Sequence, residues 1–230
     1  MIDIHSHILP CVDDGSQSWE VTLEMCRQSI ADGVTHIVAT PHANCKYVYH
    51  RESDLVLLAE LRSKVPDLQF SMGCEIQLST LSVQDALQNP DRYTFNNSRY
   101  LLVEFNSITP AIRMQDPIHL LLNAGFLPIV THPERNAVMV RKPDLVKWMV
   151  KVGCLVQVTS SALTGFWGRE AKRMASALVK EGLASILATD AHNAKARSPI
   201  LSAGVKVASG LIGEAEAMKL VWDNVQPLVE

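Results

Sequence analysis

Short apolar runs alternate with longer amphipathic stretches along nearly the whole chain, and this alternation limits the folds open to it. Seven runs have the length and residue types of strands: 2–5, 35–40, 68–74, 100–105, 127–131, 155–159 and 185–189. Seven stretches have helical spacing of apolar residues: 19–32, 53–64, 117–124, 143–152, 168–181, 199–209 and 214–225. Repeated β-α order predicts parallel strands with helices outside, so an α/β fold.

A (β/α) barrel is the favoured arrangement of these units. An open doubly wound sheet is the alternative, but no GxGxxG turn supports a dinucleotide-binding version. The 230 residues suit a single domain spanning 1–230. Residues 77–99 are polar and irregular, and we expect an insertion over one rim.

Composition narrows the class of partner. The formal net charge is -3, so no basic surplus is available to neutralise a nucleic-acid backbone. No apolar run approaches the length of a membrane span, and the first residues do not form a signal peptide. The five cysteines are odd in number and include no CxxC pair, so we expect a reducing cytoplasm.

Two histidines stand at the end of the first predicted strand. His5 and His7 are two residues apart, and because strand side chains alternate faces, both imidazoles point the same way. Such a pair can meet one cation. Alone it is a weak signal, since paired surface histidines are common.

Five further strand ends also carry a metal-ligand type of residue. They are His42, Glu75, Glu104, His132, and Asp190 with His192. In barrels of this kind the carboxyl ends of the strands assemble the active site. Any one of these residues could be a cap or a loop residue, but all of them in step with the strands indicate a shared site.

The residue types at these ends indicate which cations would bind. Imidazole and carboxylate groups suit manganese, iron or zinc more than copper(I) or an iron–sulfur cluster. The set exceeds what one tetrahedral ion needs. It therefore predicts two or three neighbouring ions with a bridging carboxylate.

Seven short motifs together closely resemble the bacterial PHP-family protein-tyrosine phosphatases of capsule and exopolysaccharide systems. They are DIHSHILP at 3–10, VDDG at 12–15, ATPH at 39–42, GCEI at 73–76, HPER at 132–135, SALTG at 161–165 and TDAH at 189–192. The motifs follow in order through nearly the whole chain. The resemblance implies a distorted seven-stranded barrel that holds two or three divalent ions, usually manganese.

The resemblance also implies a residue set. The matching metal ligands are His5, His7, Asp14, His42, Glu75, Glu104, His132, Asp190 and His192. Asp14 would read only as a turn residue without it. Arg135 and Arg197 match phosphate-binding arginines, whose planar fork suits phosphate oxygens.

The chain departs from the family pattern at three positions. Cys11 replaces a usual glycine, Ala43 a frequent second histidine, and Asn136 a common aromatic residue. None is a matched ligand. The last two could alter the pocket wall, so they bear on substrate preference more than on catalysis. Four aromatic residues are available to contact a substrate ring, or to pack in the core or rim: Tyr47, Tyr49, Phe166 and Trp167.

A second phosphatase pattern needs to be weighed. Cys45 and Arg51 satisfy the C-x5-R spacing of thiolate phosphatases. That chemistry needs a tight loop whose backbone N–H groups wrap the phosphate, usually with glycine. The five intervening residues are bulky and include no glycine, so we interpret the pattern as a chance match.

The resemblance implies hydrolysis of phosphotyrosine by metal-activated hydroxide, with His42 or an Asp available to assist. The expected substrate is the disordered, tyrosine-rich cytoplasmic tail of a bacterial tyrosine kinase. Two alternatives stay open. One is a PHP-type hydrolase of histidinol phosphate, a nucleotide or a sugar phosphate. The other is a metal-binding module that docks a kinase without catalysis.

Overall fold

The computed structural model describes residues 1–230, and every pair of neighbouring strands is parallel. The strands are β1 (Ile2–Ser6), β2 (His36–Ala39), β3 (His42–Ala43), β4 (Gln69–Met72), β5 (Glu75–Gln77), β6 (Tyr100–Glu104), β7 (Leu127–Thr131), β8 (Leu155–Thr159) and β9 (Ile186–Ala188). The helices are α1 (Trp19–Ala31), α2 (Arg51–Lys64), α3 (Thr80–Gln88), α4 (Pro90–Tyr93), α5 (Ile112–Asn123), α6 (Ala137–Arg141), α7 (Asp144–Val152), α8 (Ser160–Thr164), α9 (Gly168–Lys180), α10 (Ser202–Ile212), α11 (Glu214–Lys219) and α12 (Gln226–Val229).

Two of the predicted strands are each divided in two by a kink. The ladder nevertheless continues across the kinks, because the Gly73 N–H donates to the Ala39 carbonyl and the Glu75 N–H to the Pro41 carbonyl, both at 2.9 Å. Counting β2 with β3 and β4 with β5 leaves seven strands that neighbour one another in chain order. The seven-stranded α/β arrangement expected from the sequence is confirmed.

The barrel closes between its first and last strands by a short contact. Ser6 and Ala191 form an isolated parallel bridge, and the Asp190 N–H donates to the His5 carbonyl at 2.8 Å. Below it, the buried Asp3 carboxylate accepts a hydrogen bond from the Thr189 N–H at 3.0 Å. Burial raises the pKa of Asp3 to about 6, although these hydrogen bonds act against the rise.

An apolar floor fills the barrel at the amino ends of its strands. Its ten buried members are Ile2, Ile4, Val38, Phe95, Leu102, Ile129, Ile186, Ala188, Val225 and Leu228. Most come from alternate strand positions, as inward-facing residues must. A larger cluster of 50 buried residues lies between the barrel and its helices.

The segment 77–99 differs from our expectation of an irregular insertion over one rim. It contains the regular helix α3, which begins because the Ser79 side chain accepts the Ser82 N–H in a capping box. It ends in a 3₁₀ turn that buries Phe95 completely in the floor. Gly73 leaves room for that ring, since a Cβ there would lie 2.3 Å from it.

Three predicted helices also have different bounds. The helix expected at 199–209 lies three residues later, at Ser202–Ile212. The helix expected at 117–124 begins five residues earlier, at Ile112, and contains Pro117 in its interior. The helix expected at 214–225 ends at Lys219. It stops because the next two carbonyls accept hydrogen bonds from residues outside the helix. The Leu220 carbonyl accepts the Leu187 N–H at 3.0 Å, and the Val221 carbonyl accepts the Ile2 N–H at 2.8 Å.

Candidate metal centre and active site

The carboxyl ends of the strands surround a polar mouth, opposite the apolar floor. A bulge in β1 aims the first two histidines into it. Asp3 pairs with Ile37 while Ser6 pairs with Ala39, so β1 carries one extra residue there. Ile4 faces inward, so regular alternation would turn His5 outward. The extra residue reverses the alternation, and His5 therefore also points inward.

Each of these histidines is held by a partner on its other ring nitrogen. The Nδ1 of His5 lies 3.0 Å from Oε1 of Gln157, and Nδ1 of His7 lies 2.7 Å from Oδ2 of Asp13. Since both partner oxygens are acceptors, each Nδ1 carries the proton and each Nε2 is free to bind a cation. The two Nε2 atoms lie 3.3 Å apart.

The loop that carries Asp14 closes tightly on the first strand. Gly15 permits this approach, since a Cβ there would lie 2.2 Å from the carbonyl oxygen of His7. The loop brings Oδ1 of Asp14 to 3.3 Å from Nε2 of His42 and 3.6 Å from Nε2 of His192. The residue that sequence periodicity alone would miss therefore lies against two other predicted ligands.

Glu75 stands at the centre of the cluster. Its Oε2 lies 3.5 Å from His5 Nε2, 3.6 Å from His7 Nε2 and 3.0 Å from His42 Nδ1. Its Oε1 lies 2.9 Å from His132 Nε2. One carboxylate thus contacts four histidines that come from three different strand ends, which is the position that a bridging ligand requires.

Three overlapping groups bring ligand atoms within 4.8 Å of one another. They are His7 with Asp14, His42 and His192; His5 with His7 and Glu75; and His42 with Glu75 and Glu104. Because members are shared, the three groups are adjacent. His132 and Asp190 lie outside these groups but contact their members, so all nine predicted ligands belong to one connected cluster.

The polar atoms of the mouth fit a cation better than they fit one another. His42 Nδ1, Glu75 Oε2 and His192 Nε2 are buried without a hydrogen-bond partner. The first two are only 3.0 Å apart. Buried polar groups are normally paired, so converging unpartnered ligand atoms indicate a site for positive charge.

The carboxylates also shift the protonation of the histidines. Burial lowers the pKa of His7, but the Asp13 carboxylate outweighs it and raises that pKa to about 9. Burial likewise opposes the rise at His42, where Asp14 and Glu75 raise the pKa to about 11. Around these two histidines the carboxylates therefore favour positive charge, which divalent ions would provide, whereas burial lowers the pKa of His132 and of His192 to about 4.

Glu104 is a carboxyl group of the cluster whose pKa is raised by its surroundings. Burial and the neighbouring Glu75 raise its pKa to about 7, against the opposing effect of His42. Two carboxylates this close repel unless a cation lies between them. Glu104 and Glu75 share one of the three candidate groups, so their repulsion is the kind that a shared ion would relieve.

Two residues of the mouth adopt a left-handed backbone that glycine would prefer. His132 has φ 31° and Asp190 has φ 52°, each directly after or near the end of a strand. Hydrogen bonds hold both in place: the His132 N–H donates to the Gln157 carbonyl at 2.9 Å, and Asp190 is fixed to β1. Strain of this kind at non-glycine residues is concentrated at functional sites.

Asp190 joins the histidines to the two predicted arginines. Its Oδ1 lies 3.4 Å from Nε2 of both His5 and His7. Its Oδ2 forms ion pairs with Arg135 and with Arg197, the latter at 2.7 Å. Both guanidinium groups are therefore at the edge of the cluster, and each keeps N–H donors that Asp190 does not use.

The four aromatic residues considered for a substrate pocket lie in three environments: beside a charged residue of the cluster, at the surface, or in the core. The Trp167 ring lies 4.0 Å from the Arg135 guanidinium carbon and 5.4 Å from that of Arg197. Tyr47 stacks on His42, with ring centres 5.8 Å apart. Phe166 is half exposed. Tyr49 is buried in the core, which is the second of the two alternatives that the sequence left open for it.

The region of Cys45 lacks the features of a thiolate phosphatase loop. The N–H groups of Lys46 and Tyr47 both donate to the Asn44 side chain at 2.9 Å, so they cannot wrap a phosphate. Arg51 instead contacts Asn97 at 3.2 Å. The interpretation of the C-x5-R spacing as a chance match is supported by this geometry.

Sequence reasoning missed the residues that orient the ligands. Asp13 and Gln157 are buried and bond the far nitrogens of His7 and His5. Glu134, between His132 and Arg135, is also buried, and its Oε1 accepts the Thr159 N–H at 2.8 Å. Asn136, a departure from the family pattern, caps α6 through the Val138 and Met139 N–H groups.

Comparison with known proteins identifies the family. The family model described as "Capsular polysaccharide synthesis, CpsB/CapC" matches residues 1–230. The chain belongs to the CpsB/CapC family. The family resemblance expected from the sequence motifs is therefore confirmed.

Two CpsB/CapC relatives and one more distant fold illustrate the match. The tyrosine-protein phosphatase YwqE of Bacillus subtilis is 34% identical over 205 residues, which cover 86% of this chain and 80% of YwqE. The tyrosine-protein phosphatase CpsB of Streptococcus agalactiae serotype V is 29% identical over 241 residues, covering 100% and 98%. The histidinol phosphate phosphatase of Lactococcus lactis, with TM-score 0.60 and 12% identity over 90% of this chain and 93% of its own, shares the fold alone.

A solved structure extends the CpsB/CapC likeness to the whole fold. It comes from a study of YwqE of Bacillus subtilis and CpsB of Streptococcus pneumoniae, described as metal-dependent tyrosine phosphatases. It matches with TM-score 0.88 and 32% identity, covering 100% of this chain and 94% of that one. The distorted barrel expected from the sequence is confirmed by this match.

Proposed function

We propose that this CpsB/CapC chain is a metal-dependent protein-tyrosine phosphatase whose metal ligands are the nine residues of the mouth. One observation carries the proposal: buried, unpartnered ligand atoms converge on Glu75, directly beside the two arginines that share Asp190. Phosphoryl transfer needs this combination, since positive charge must meet both the attacking water and the phosphoryl oxygens.

Each part of the mouth has a defined task in the proposed reaction. The nine ligands would hold divalent ions, which when bound would supply hydroxide at neutral pH and positive charge for the phosphoryl oxygens. Arg135 and Arg197 bind the non-bridging oxygens through the N–H donors that Asp190 leaves free. Gln157 and Asp13 keep the His5 and His7 rings in the tautomer that presents Nε2.

We propose manganese as the usual metal, with two or three ions in each chain. The three candidate groups support this number, because they overlap at His7, His42 and Glu75. The ligands are imidazole and carboxylate groups without thiolate, which suits a metal of manganese type.

The proposed substrate is phosphotyrosine rather than phosphoserine. A phenolate is a good leaving group because the phenol pKa is about 10, so little protonation is needed. Tyr47 stacks on His42 and Trp167 covers Arg135, so aromatic faces flank the cluster on two sides. His42 is the proposed acid–base residue, because its ring lies between the carboxylates of Asp14 and Glu75.

We further propose that the natural substrate is the disordered, tyrosine-rich tail of a bacterial tyrosine kinase of capsule or exopolysaccharide synthesis. A disordered tail can enter a recessed mouth without unfolding a domain. The family description, capsular polysaccharide synthesis, supports this setting. The proposed compartment is the cytoplasm, where the five free cysteines would stay reduced.

Two further expectations belong to the same proposal. Residues 1–230 would act as one phosphatase domain, since the family model spans all of them. Nucleic acid would not be a partner, because the net charge is -3. No helix is long and apolar enough to cross a membrane.

The test compares kcat/KM for matched phosphotyrosine and phosphoserine peptides with that for histidinol phosphate. The proposal expects the phosphotyrosine peptide to be strongly preferred. Equal kcat/KM values for the two peptides would contradict the proposed specificity for phosphotyrosine. A much higher value for histidinol phosphate would make the chain a small-molecule phosphatase instead.

A further inference from the structure

Three concave regions of the surface follow one another across the mouth. The middle one, about 370 Å³, contains Glu104, His132 and Arg135 of the candidate active site. It shares Gln77 with a cleft of about 330 Å³ on one side. It shares Arg135 and Trp167 with a cleft of about 550 Å³ on the other side. Because neighbouring regions share lining residues, they lie next to one another, and we refer to the three together as the groove.

The 330 Å³ end of the groove is apolar. Val48 and Leu81 line it and are 64% and 78% exposed, so neither is used to fill the core. They come from different segments: Val48 lies in the loop before α2, and Leu81 lies in the first turn of α3. Two large aliphatic side chains exposed to solvent in the lining of one cleft favour contact with an apolar group.

The 550 Å³ end of the groove is cationic. Its exposed charged side chains are Arg141, Arg173 and Glu170. Neither arginine is within ion-pair distance of a carboxylate, including that of Glu170. Two guanidinium groups without partners in one cleft therefore favour an anionic ligand.

We propose that this groove binds the polypeptide on both sides of the phosphotyrosine. An apolar side chain of the substrate lies between Val48 and Leu81, and an acidic side chain pairs with Arg141 and Arg173. The inference rests on the proposed function, since it takes the middle region as the place where the phosphate reacts. A small phosphate ester would fill that middle region alone, whereas an extended peptide also reaches the two ends.

The two ends should contribute modestly and independently. Surface ion pairs are weak, so loss of both arginines should lower kcat/KM about three- to tenfold for an acidic substrate. Partial burial of one aliphatic side chain should have an effect of about the same size. Both clefts lie outside the ligand cluster, so turnover of a small aryl phosphate should not change.

The test uses full-length protein with manganese and four substrates. Two are phosphotyrosine peptides with leucines on one side of the phosphotyrosine and glutamates on the other. In one the leucines precede it, and in the other they follow it. The third carries alanines on both sides, and the fourth is p-nitrophenyl phosphate. The variants are Arg141→Ala with Arg173→Ala, and Val48→Ser with Leu81→Ser. Exposed controls away from the groove are Arg99→Ala and Leu120→Ser.

For the wild type, we expect one leucine–glutamate peptide to exceed the alanine peptide in kcat/KM. Each double variant should lower that value about three- to tenfold and leave the alanine peptide and p-nitrophenyl phosphate within about twofold. The proposed groove is contradicted if the double variants change kcat/KM equally for all four substrates, or for none of them. If the wild type hydrolyses neither the alanine peptide nor p-nitrophenyl phosphate, the proposed function fails as well.

Discussion

The two ends of the barrel interior are built from the same strands with opposite chemistry. On β6, Leu102 is part of the apolar floor, while Glu104, two residues later, belongs to the candidate metal centre. On the path of β2 and β3, Val38 and His42 show the same change. On these two paths, one face of the strand contributes to packing near its beginning and to the candidate metal centre near its end.

The two ends should therefore respond differently to substitution. The floor has no polar group to satisfy, so its contribution to folding depends on packing alone. The mouth buries carboxylates and imidazoles, which oppose folding unless charge or hydrogen bonds compensate them. Changes at the mouth should abolish activity, and changes at the floor should lower stability.

The largest effect is expected from removing a ligand at the mouth. His5→Ala or Asp190→Ala should lower kcat/KM by more than about a thousandfold, because groups that act as a unit lose their effect together. Cys45→Ser, an exposed position whose loop cannot wrap a phosphate, should stay within about twofold. Steady-state kinetics on a phosphotyrosine peptide, with circular dichroism to check folding, decides this. Full loss in Cys45→Ser with an intact fold would reverse the assignment.

The floor should show the largest effect on stability. Phe95→Ala removes a fully buried ring and should lower the free energy of unfolding by about 3–5 kcal/mol. Phe166→Ala removes a ring that is 51% exposed and should cost less than about 1 kcal/mol. Urea denaturation of both metal-free variants provides the measurement. Similar losses for the two would show that Phe95 does not support the floor.

Loss of one arginine should separate catalysis from ligand binding within the mouth. Arg135→Ala should lower kcat/KM about ten- to a hundredfold, since a charged hydrogen bond is worth about 1.5–3 kcal/mol. The metal content should not change, because Arg197 still pairs with Oδ2 of Asp190. Elemental analysis of the purified variant checks the second point. A parallel loss of metal would mean that Arg135 holds the ligand cluster together.

The smallest effect concerns a buried carboxyl group that belongs to neither end. Asp54 in α2 is 4% exposed with Oδ2 unpartnered, and burial raises its pKa from 3.8 to about 6. Because the folded state holds the proton more tightly, its contribution to stability is complete below pH 3.8 and is lost as pH rises through 6.

Asp54→Asn should remove this pH dependence. Relative to the wild type, the variant should gain about 1–2 kcal/mol in free energy of unfolding between pH 4 and pH 7. Denaturation of both metal-free proteins at several pH values across that range checks it. A difference between the two proteins that stays constant over the range would exclude Asp54 as the titrating group.

Much of the candidate site could be predicted because its residues follow directly after apolar strands. His42, Glu75 and His132 were found in this way, and the family motifs added Asp14, Arg135 and Arg197. The approach works because parallel strands bring all their carboxyl ends together.

The remaining features depend on contacts between distant segments. Gln157 and Asp13 orient histidines, but in the sequence they look like an ordinary strand residue and a turn residue. The bulge in β1 changes which face His5 occupies, and no local pattern marks it. Phe95 lies in a polar segment, and only the space left by Gly73 explains its burial.

We propose that the polar end of this barrel is a metal centre that hydrolyses phosphotyrosine. The most direct measurement is turnover of a phosphotyrosine peptide by metal-stripped protein, with manganese, cobalt, zinc or magnesium added back separately. The account predicts no measurable turnover without metal and recovery with at least one of these ions, most strongly with manganese. Full turnover by the stripped protein in the presence of a chelator would contradict it.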